Sequence, residues 1–276
     1  MLVVKILVNP GYPGNLCTIY LNMKSLSKQT QNLINSYLRL PFPNKDVSCP
    51  YFNNRRTGLR GGLRAIIGKG TPDDIIEEAK IISLREKIDL TKLSNDELKK
   101  FLIDNNLGVD CSALVYHVLD TELKTRKMKG LNKYLKYSQI KNPLRKLLVK
   151  FRPVESTGVK VFADEINSVK IKLTDIEPGD LIIMLNTGIN HDRDHILLIT
   201  NVSSNINYIH SFQWTSDGKY NHGVREGQIE IIDPNKNLLE QKWLENSKID
   251  EENETFQHAR LAKHVILKRL LAIKSA

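Results

Sequence analysis

The sequence has no long hydrophobic run: no stretch of its 276 residues approaches the roughly 18 apolar residues that a membrane-spanning helix needs. Its start, MLVVKILVNPGYPGN, also makes a poor signal peptide, because Lys5 and Pro10 interrupt the apolar stretch. A basic start and a small-residue cleavage site are missing as well. We therefore expect a cytoplasmic protein without a transmembrane segment, although export by another route stays open.

Cysteine is scarce, with three residues in the whole chain: Cys17, Cys49 and Cys111. The count is odd and there is no CxxC pair, which argues against a disulfide framework and against a zinc site built from thiolates. Each cysteine therefore has to be judged by its own surroundings.

Acidic residues are sparse in one region. Between residues 122 and 172 there are 14 Lys and Arg against 4 Asp and Glu, and this excess equals the net charge of +10 of the whole chain. Such a segment is either a solvated basic insertion or a site for an anionic partner such as a polymer or a membrane surface. Both interpretations stay open.

Hydrophobic periodicity and turn residues predict an α+β fold, with helices first in the chain and an antiparallel β-sheet afterwards. Residues 1–70 form a predicted N-terminal extension of hairpin, helix and loop, and residues 71–276 the main domain with the basic insertion at about 122–172. The hairpin strands are 2–8 and 16–22, and the helices are 24–39, 72–87, 94–105 and 111–123. The later strands are 181–185, 195–202, 207–212, 223–232 and 264–271, with a short helix at 238–245 that carries Trp243.

Cys111 lies in the sequence GVDCSALV, at the predicted start of a helix. The free backbone N–H groups and the helix dipole at such a position favour a thiolate, and the same N–H groups can bind an oxyanion. Alone this signal is weak, because buried, inert cysteines are common.

Two histidines strengthen it. His195 opens the apolar strand HILLITNV, and His210 follows in YIHS on the next strand. If the two strands are antiparallel neighbours, His210 can accept the Nδ1–H of His195. The Nε2 atom of His195 is then free to take the thiol proton.

The order DCSALV, EPGDLI, HILLI, YIHS, a late Trp and a basic last strand resembles the NlpC/P60 family of papain-like cysteine peptidases, over roughly residues 95–271. The resemblance implies that Cys111 is the nucleophile, His195 the general base and acid, and His210 the orienting residue. It further implies that Asp110 and Ser112 bind the free amine and polar atoms of the substrate. Asp180 matches the turn motif and is taken as structural. Ala113 departs from the usual Gly, and the basic segment is longer than the family pattern.

The same resemblance implies hydrolysis of an amide in a peptidoglycan peptide, typically next to a γ-linked D-glutamate. The reaction passes through a thioester and requires no metal or other cofactor.

Two alternatives remain. His191-Asp192-Arg193-Asp194-His195 could bind a metal, although Arg193 argues against a dication. The chain could also be a non-catalytic module that binds an anionic polymer or surface through the basic insertion. Its Lys, Arg and Leu residues would suit a helix on an anionic surface, but Pro143 argues against one continuous helix. His117, His222, His258 and His264 are interpreted as structural or surface residues.

Overall fold

The computed structural model of the chain describes residues 24–54, 58, 62–213 and 220–274. The predicted hairpin at 2–8 and 16–22 and Cys17 lie outside these residues. Within them the fold is α+β, with helices packed on an open antiparallel sheet, and this coarse prediction is confirmed.

Eight strands form the sheet in the order β2-β9-β3-β4-β5-β6-β7-β8, and β1 pairs with one end of β4. All the pairings are antiparallel. The strands are β1 Lys24–Ser25, β2 Ser168–Lys170, β3 Leu181–Thr187, β4 Arg193–Val202, β5 Asn205–Phe212, β6 Gly223–Glu230, β7 Lys242–Glu245, β8 Lys248–Ile249 and β9 His264–Leu270.

The longer helices begin where the sequence provides caps. Thr71 and Asp74 form a capping box at one helix start, and Ser94 and Glu97 form a second. The helices are α1 Lys28–Leu38, α2 Pro72–Glu86, α3 Asn95–Asp104, α4 Cys111–Thr125, α5 Pro143–Phe151, α6 Pro153–Ser156, α7 Val159–Ala163, α8 Glu254–Leu261 and α9 Leu271–Lys274. Among the described residues, each helix is too short or too polar to cross a lipid bilayer.

Both faces of the sheet are buried, because side chains alternate between two hydrophobic cores along the central strands. On β4, Ile196 and Leu198 belong to the core shared with α4, whereas Leu197 and Ile199 belong to the core on the other face. This second core also contains Trp243 and the α8 residue Phe256. The apolar run of β4 is therefore that of a strand buried on both sides.

The described residues between 24 and 70 pack into the first core rather than beside it. Leu26, Tyr37 and Cys49 are buried together with the side chains of α4. The Tyr37 hydroxyl donates a 3.0 Å hydrogen bond to the Gly70 carbonyl. The core thus continues across residue 70, where the sequence suggested that an extension ends.

As predicted, no single helix runs across Pro143, which is the first residue of α5, where its missing N–H has no helical acceptor to lose. Two local predictions are wrong. The helix predicted over 24–39 begins only at Lys28, and Lys24–Ser25 is strand β1. The predicted helix at 238–245 is a 3₁₀ turn, Leu238–Glu240, followed by strand β7. Trp243 lies in that strand because it pairs with Ile229 of β6 and is buried in the second core.

Candidate active site

Cys111 is the first residue of α4, and Asp110 caps this helix by accepting a 2.7 Å hydrogen bond from the Ala113 N–H. The preceding loop is held against β5, where the Ser211 hydroxyl donates to the Val109 carbonyl at 2.7 Å. Cys111 therefore starts the helix at the end of the sheet, beside β4 and β5, with the backbone N–H groups of the first turn around it.

The space beside Cys111 arises because β4 and β5 separate. Their register pairs end at Leu198 with Ile209, before the strand start at which His195 lies. Beyond that point the Ile196 N–H interacts with the Cys111 sulfur instead of with β5. The sulfur thus contacts the backbone of the residue next to His195.

Four polar side chains form a buried chain of hydrogen bonds across the sheet. His195 Nε2 lies 2.9 Å from His210 Nδ1, and His210 Nε2 lies 3.1 Å from Oε1 and 3.2 Å from Oε2 of Glu245. The Tyr208 hydroxyl donates to Oε2 of the same carboxylate at 2.7 Å. None of the four is more than 3% exposed, so each needs these internal partners.

The strand alternation explains why these residues meet. His195 precedes the second-core residue Leu197 by two positions, and Glu245 follows Trp243 by two. His210 likewise follows Tyr208 by two positions on β5. Residues two apart on a strand share a face, so all of these polar groups lie on the same side of the sheet.

The hydrogen bonds contradict one sequence prediction, that Nδ1 of His195 faces His210. It is Nε2 that does so. The Glu245 carboxylate only accepts, so His210 donates from Nε2 and, with one proton on its ring, accepts at Nδ1. His195 then donates from Nε2, which leaves its Nδ1 unprotonated.

Cys111 and His195 are both uncharged near neutral pH. Burial, together with the charge of Asp110, raises the pKa of the Cys111 thiol to about 12, against the lowering effect of the Lys69 ammonium. Burial, with the neighbouring His210 and His258, holds the pKa of His195 well below 6.5. A neutral thiol and a neutral imidazole therefore line the same cleft.

Lys69 is a buried cationic residue beside the cysteine that no sequence motif indicated. Its Nζ lies 2.8 Å from Asp110 Oδ2, 3.0 Å from the Ser112 hydroxyl and 3.3 Å from the Thr157 carbonyl. The backbone of Lys69 forms an isolated antiparallel bridge to Val109, which brings its side chain to the start of α4. The positive charge of Lys69 lowers the pKa of Cys111, whereas the Asp110 carboxylate raises it.

Asp110 and Ser112 line the cleft, but their polar atoms already have internal partners. Asp110 Oδ1 accepts from Ala113 N–H and, at 2.8 Å, from the Ser112 hydroxyl. A substrate amine would have to compete with Lys69 for Oδ2. The predicted role of these two residues in substrate binding stays a prediction.

Cys111 and His195 line one cleft of about 950 Å³, large enough for a peptide ligand. The predicted basic insertion provides one wall of it, through Gln139 and residues 155–161. Segment 51–54 and Phe212 line other parts of the cleft. The insertion therefore helps to form the candidate site rather than lying away from it.

The side chains proposed as metal ligands in the segment 191–195 do not converge on one point. The ring of His191, exposed at the surface, contacts the Asn186 carbonyl, whereas Asp194 accepts from the Asn186 N–H and His195 points inward. Among the described residues, no group of three or more His, Cys, Asp or Glu side chains could hold a metal ion. His117 contacts the Lys69 carbonyl at 3.0 Å, and His222 accepts from the Tyr51 N–H at 3.2 Å.

Glu245 was also missed by the sequence analysis. Its only local signal is the spacing of two from Trp243, and that spacing carries meaning only if residues 242–245 are recognised as a strand.

Searches against protein-family models, curated proteins and solved structures find no match to this chain.

Proposed function

We propose that this chain is a cysteine hydrolase with a papain-like fold of the NlpC/P60 kind, which cleaves an amide bond through a thioester intermediate. One observation supports the proposal above all. Cys111, the first residue of α4, and His195, which is hydrogen-bonded to the buried pair His210 and Glu245, line the same cleft. Nucleophile, base and orienting group are the three parts that covalent catalysis by cysteine requires.

In the first half-reaction Cys111 attacks the carbonyl carbon of the amide while Nδ1 of His195 takes the thiol proton. His210 and Glu245 stabilise the imidazolium that forms, through the hydrogen bond at Nε2. The carbonyl oxygen becomes an oxyanion beside the N–H groups of the first turn of α4. The C–N bond then breaks, and His195 gives its proton to the departing amine.

In the second half-reaction a water molecule attacks the thioester carbonyl carbon and His195 takes a proton from that water. The C–S bond breaks, the thiolate regains the proton from His195, and a carboxylic acid leaves. The site returns to its neutral state without an external oxidant or reductant.

The proposed substrate is a peptide of the peptidoglycan type, cut next to a γ-linked D-glutamate, as the resemblance in sequence implies. Such peptides carry free carboxylates. The cleft lining includes the cationic side chains of Lys160 and Arg193, which suit such groups.

Mass spectrometry after incubation with wall-derived peptides tests the proposal. We expect the parent protein to release two fragments, and Cys111→Ala and His195→Ala each to abolish turnover. His264→Ala is the matched histidine control, because His264 is exposed at the start of β9, and it should retain full activity. Turnover by Cys111→Ala at the parental rate would refute the assignment.

Thiol labelling gives a second, substrate-free measurement. We expect iodoacetamide to modify Cys111 faster than Cys49 in the same folded protein. Cys111 lines the cleft, whereas Cys49 is fully buried in the first core. Equal rates for these two thiols would count against an accessible cysteine at position 111.

A further inference from the structure

Helix α5 stands out from the body of the protein with an apolar face turned away from it. Of its nine residues only Val149 is buried. Leu144, Leu147, Leu148 and Phe151 are 71%, 51%, 57% and 72% exposed. They follow the spacing i, i+3, i+4, i+7 and therefore form one stripe on the helix. Val149 lies on the opposite side and anchors the helix.

The stripe is surrounded by positive charge. Residues 123–154 contain 11 Lys and Arg and no Asp or Glu. Arg145 and Lys150 flank the stripe on α5, Lys141 precedes the helix, and Lys146 lies on the side of the helix opposite the stripe. All four are exposed. Within the described part of the chain none of these four side chains forms an ion pair, so their charge is available to a partner.

We propose that α5 binds the protein to an anionic lipid membrane, lying in the plane of the interface. A helix with an exposed apolar stripe and basic flanks inserts the stripe among the acyl chains, while its cations meet the lipid head groups. The proposal goes beyond the hydrolase activity and does not depend on it.

The composition of this face favours a lipid surface over a nucleic acid. Three leucines stand in the stripe, and aliphatic side chains gain nothing from phosphates or from stacking on bases. A hydrophobic partner helix alone would not explain the absence of acidic residues over the whole of 123–154. Acyl chains beneath a layer of anionic head groups match both features.

Membrane binding would also orient the candidate site. Helix α6 follows α5 after Arg152, and its residues Glu155 and Ser156 line the cleft. The α5 face therefore lies at the end of the wall that the insertion contributes to the cleft.

Co-sedimentation of the full chain with vesicles tests the inference. We expect binding to vesicles of equal parts phosphatidylcholine and phosphatidylserine, weakening as salt is raised, and little binding to phosphatidylcholine alone. Arg145→Ala with Lys150→Ala should weaken binding about 25-fold, since each basic residue contributes about fivefold near an anionic surface. Leu147→Ser with Phe151→Ser should weaken it by more than about tenfold through lost apolar insertion.

Matched controls lie on another helix. Leu84 of α2 is 79% exposed and Lys80 is exposed beside it, so Leu84→Ser with Lys80→Ala should bind like the parent. Cys111→Ala should also bind like the parent, which separates this inference from the hydrolase proposal. Parental binding by both α5 variants, or equal binding to neutral and anionic vesicles, would overturn the inference. So would binding to RNA in place of vesicles, or self-association through α5.

Discussion

The carboxylate of Glu245 lies in the protein interior, where an unpaired charge would be strongly unfavourable. It is held by the hydroxyl of Tyr208 and by the ring of His210, and it thereby determines which nitrogen of His210 carries the proton. Because Nδ1 of His210 accepts, Nε2 of His195 is the nitrogen that donates to it. One residue far from the cleft thus sets which nitrogen of a histidine in the cleft lining carries the proton.

Glu245→Gln tests this dependence at the residue scale. The amide can still accept from Tyr208, but it no longer stabilises positive charge on the imidazole pair. We expect kcat to fall by about 100-fold with little change in KM, because positioned general-base catalysis contributes roughly that much. Steady-state kinetics on the wall-derived peptide measures it.

Tyr208→Phe is the control for Glu245→Gln. It removes one hydrogen bond to the carboxylate and leaves its charge in place, so kcat should fall by no more than about tenfold. If both variants lost the same activity, the charge of Glu245 would not be what matters.

The pKa values of the two reacting groups predict an unusual pH dependence. Because the pKa of Cys111 is raised to about 12 by burial, the thiolate fraction keeps increasing well above the ordinary cysteine pKa of about 8.5. We expect the iodoacetamide reaction of Cys111 to accelerate up to at least about pH 10. A rate that is already maximal near neutral pH would instead indicate a preformed thiolate–imidazolium pair.

At the scale of elements, the turn before β3 is joined to the last strand by a buried ion pair. Asp180 is fully buried, and Arg269 of β9 reaches both of its carboxylate oxygens at 2.8 Å. The carboxylate also accepts from the Glu177 N–H at 2.6 Å, which closes the turn. The acid of the EPGDLI motif therefore links two neighbouring strands.

Asp180→Asn should destabilise the protein by about 3 kcal/mol, because it leaves the Arg269 guanidinium without its buried partner. Chemical denaturation measures the change. Asp175→Asn is the matched control, since Asp175 is exposed, and it should change stability by less than about 0.5 kcal/mol. Near-parental kcat in folded Asp180→Asn is expected, and a large loss of kcat would indicate a role beyond structure.

At the scale of the whole molecule, segments far apart in the chain build one core and one cleft. Residues 24–70 bring Tyr37 into the first core and Lys69 to the candidate nucleophile. The insertion adds the wall at residues 155–161. Neither segment could be removed without exposing apolar surface or opening the site.

Tyr37→Ala tests whether residues 24–70 unfold with the rest of the chain. The side chain is fully buried, so we expect a loss of about 3–5 kcal/mol in a single cooperative transition. Phe151→Ala, at an exposed aromatic residue, should change stability by less than about 0.5 kcal/mol. Two separate transitions in the denaturation curve of the parent would mean that this segment forms an independent unit.

Much of the fold could be predicted because its signals are local. The capping boxes at Thr71 and Ser94 mark helix starts within a few residues, and the apolar run from Ile196 to Ile199 marks a buried strand. The helices 72–87, 94–105 and 111–123 and the five later strands end within two residues of their predicted bounds. The prediction of a helix at 238–245 was wrong because the pairing of Trp243 with β6 outweighs the local preference of these residues for a helix.

By itself the sequence determined the α+β order of elements and the placing of Cys111 at the start of α4, since these depend on residues only a few positions apart. Three contacts were decided only by the tertiary structure. Nε2 of His195 faces His210, Glu245 accepts a hydrogen bond from His210, and Lys69 pairs with Asp110. Those contacts join residues 15, 35 and 41 positions apart in the chain, and strand register and core packing, not local propensity, bring them together.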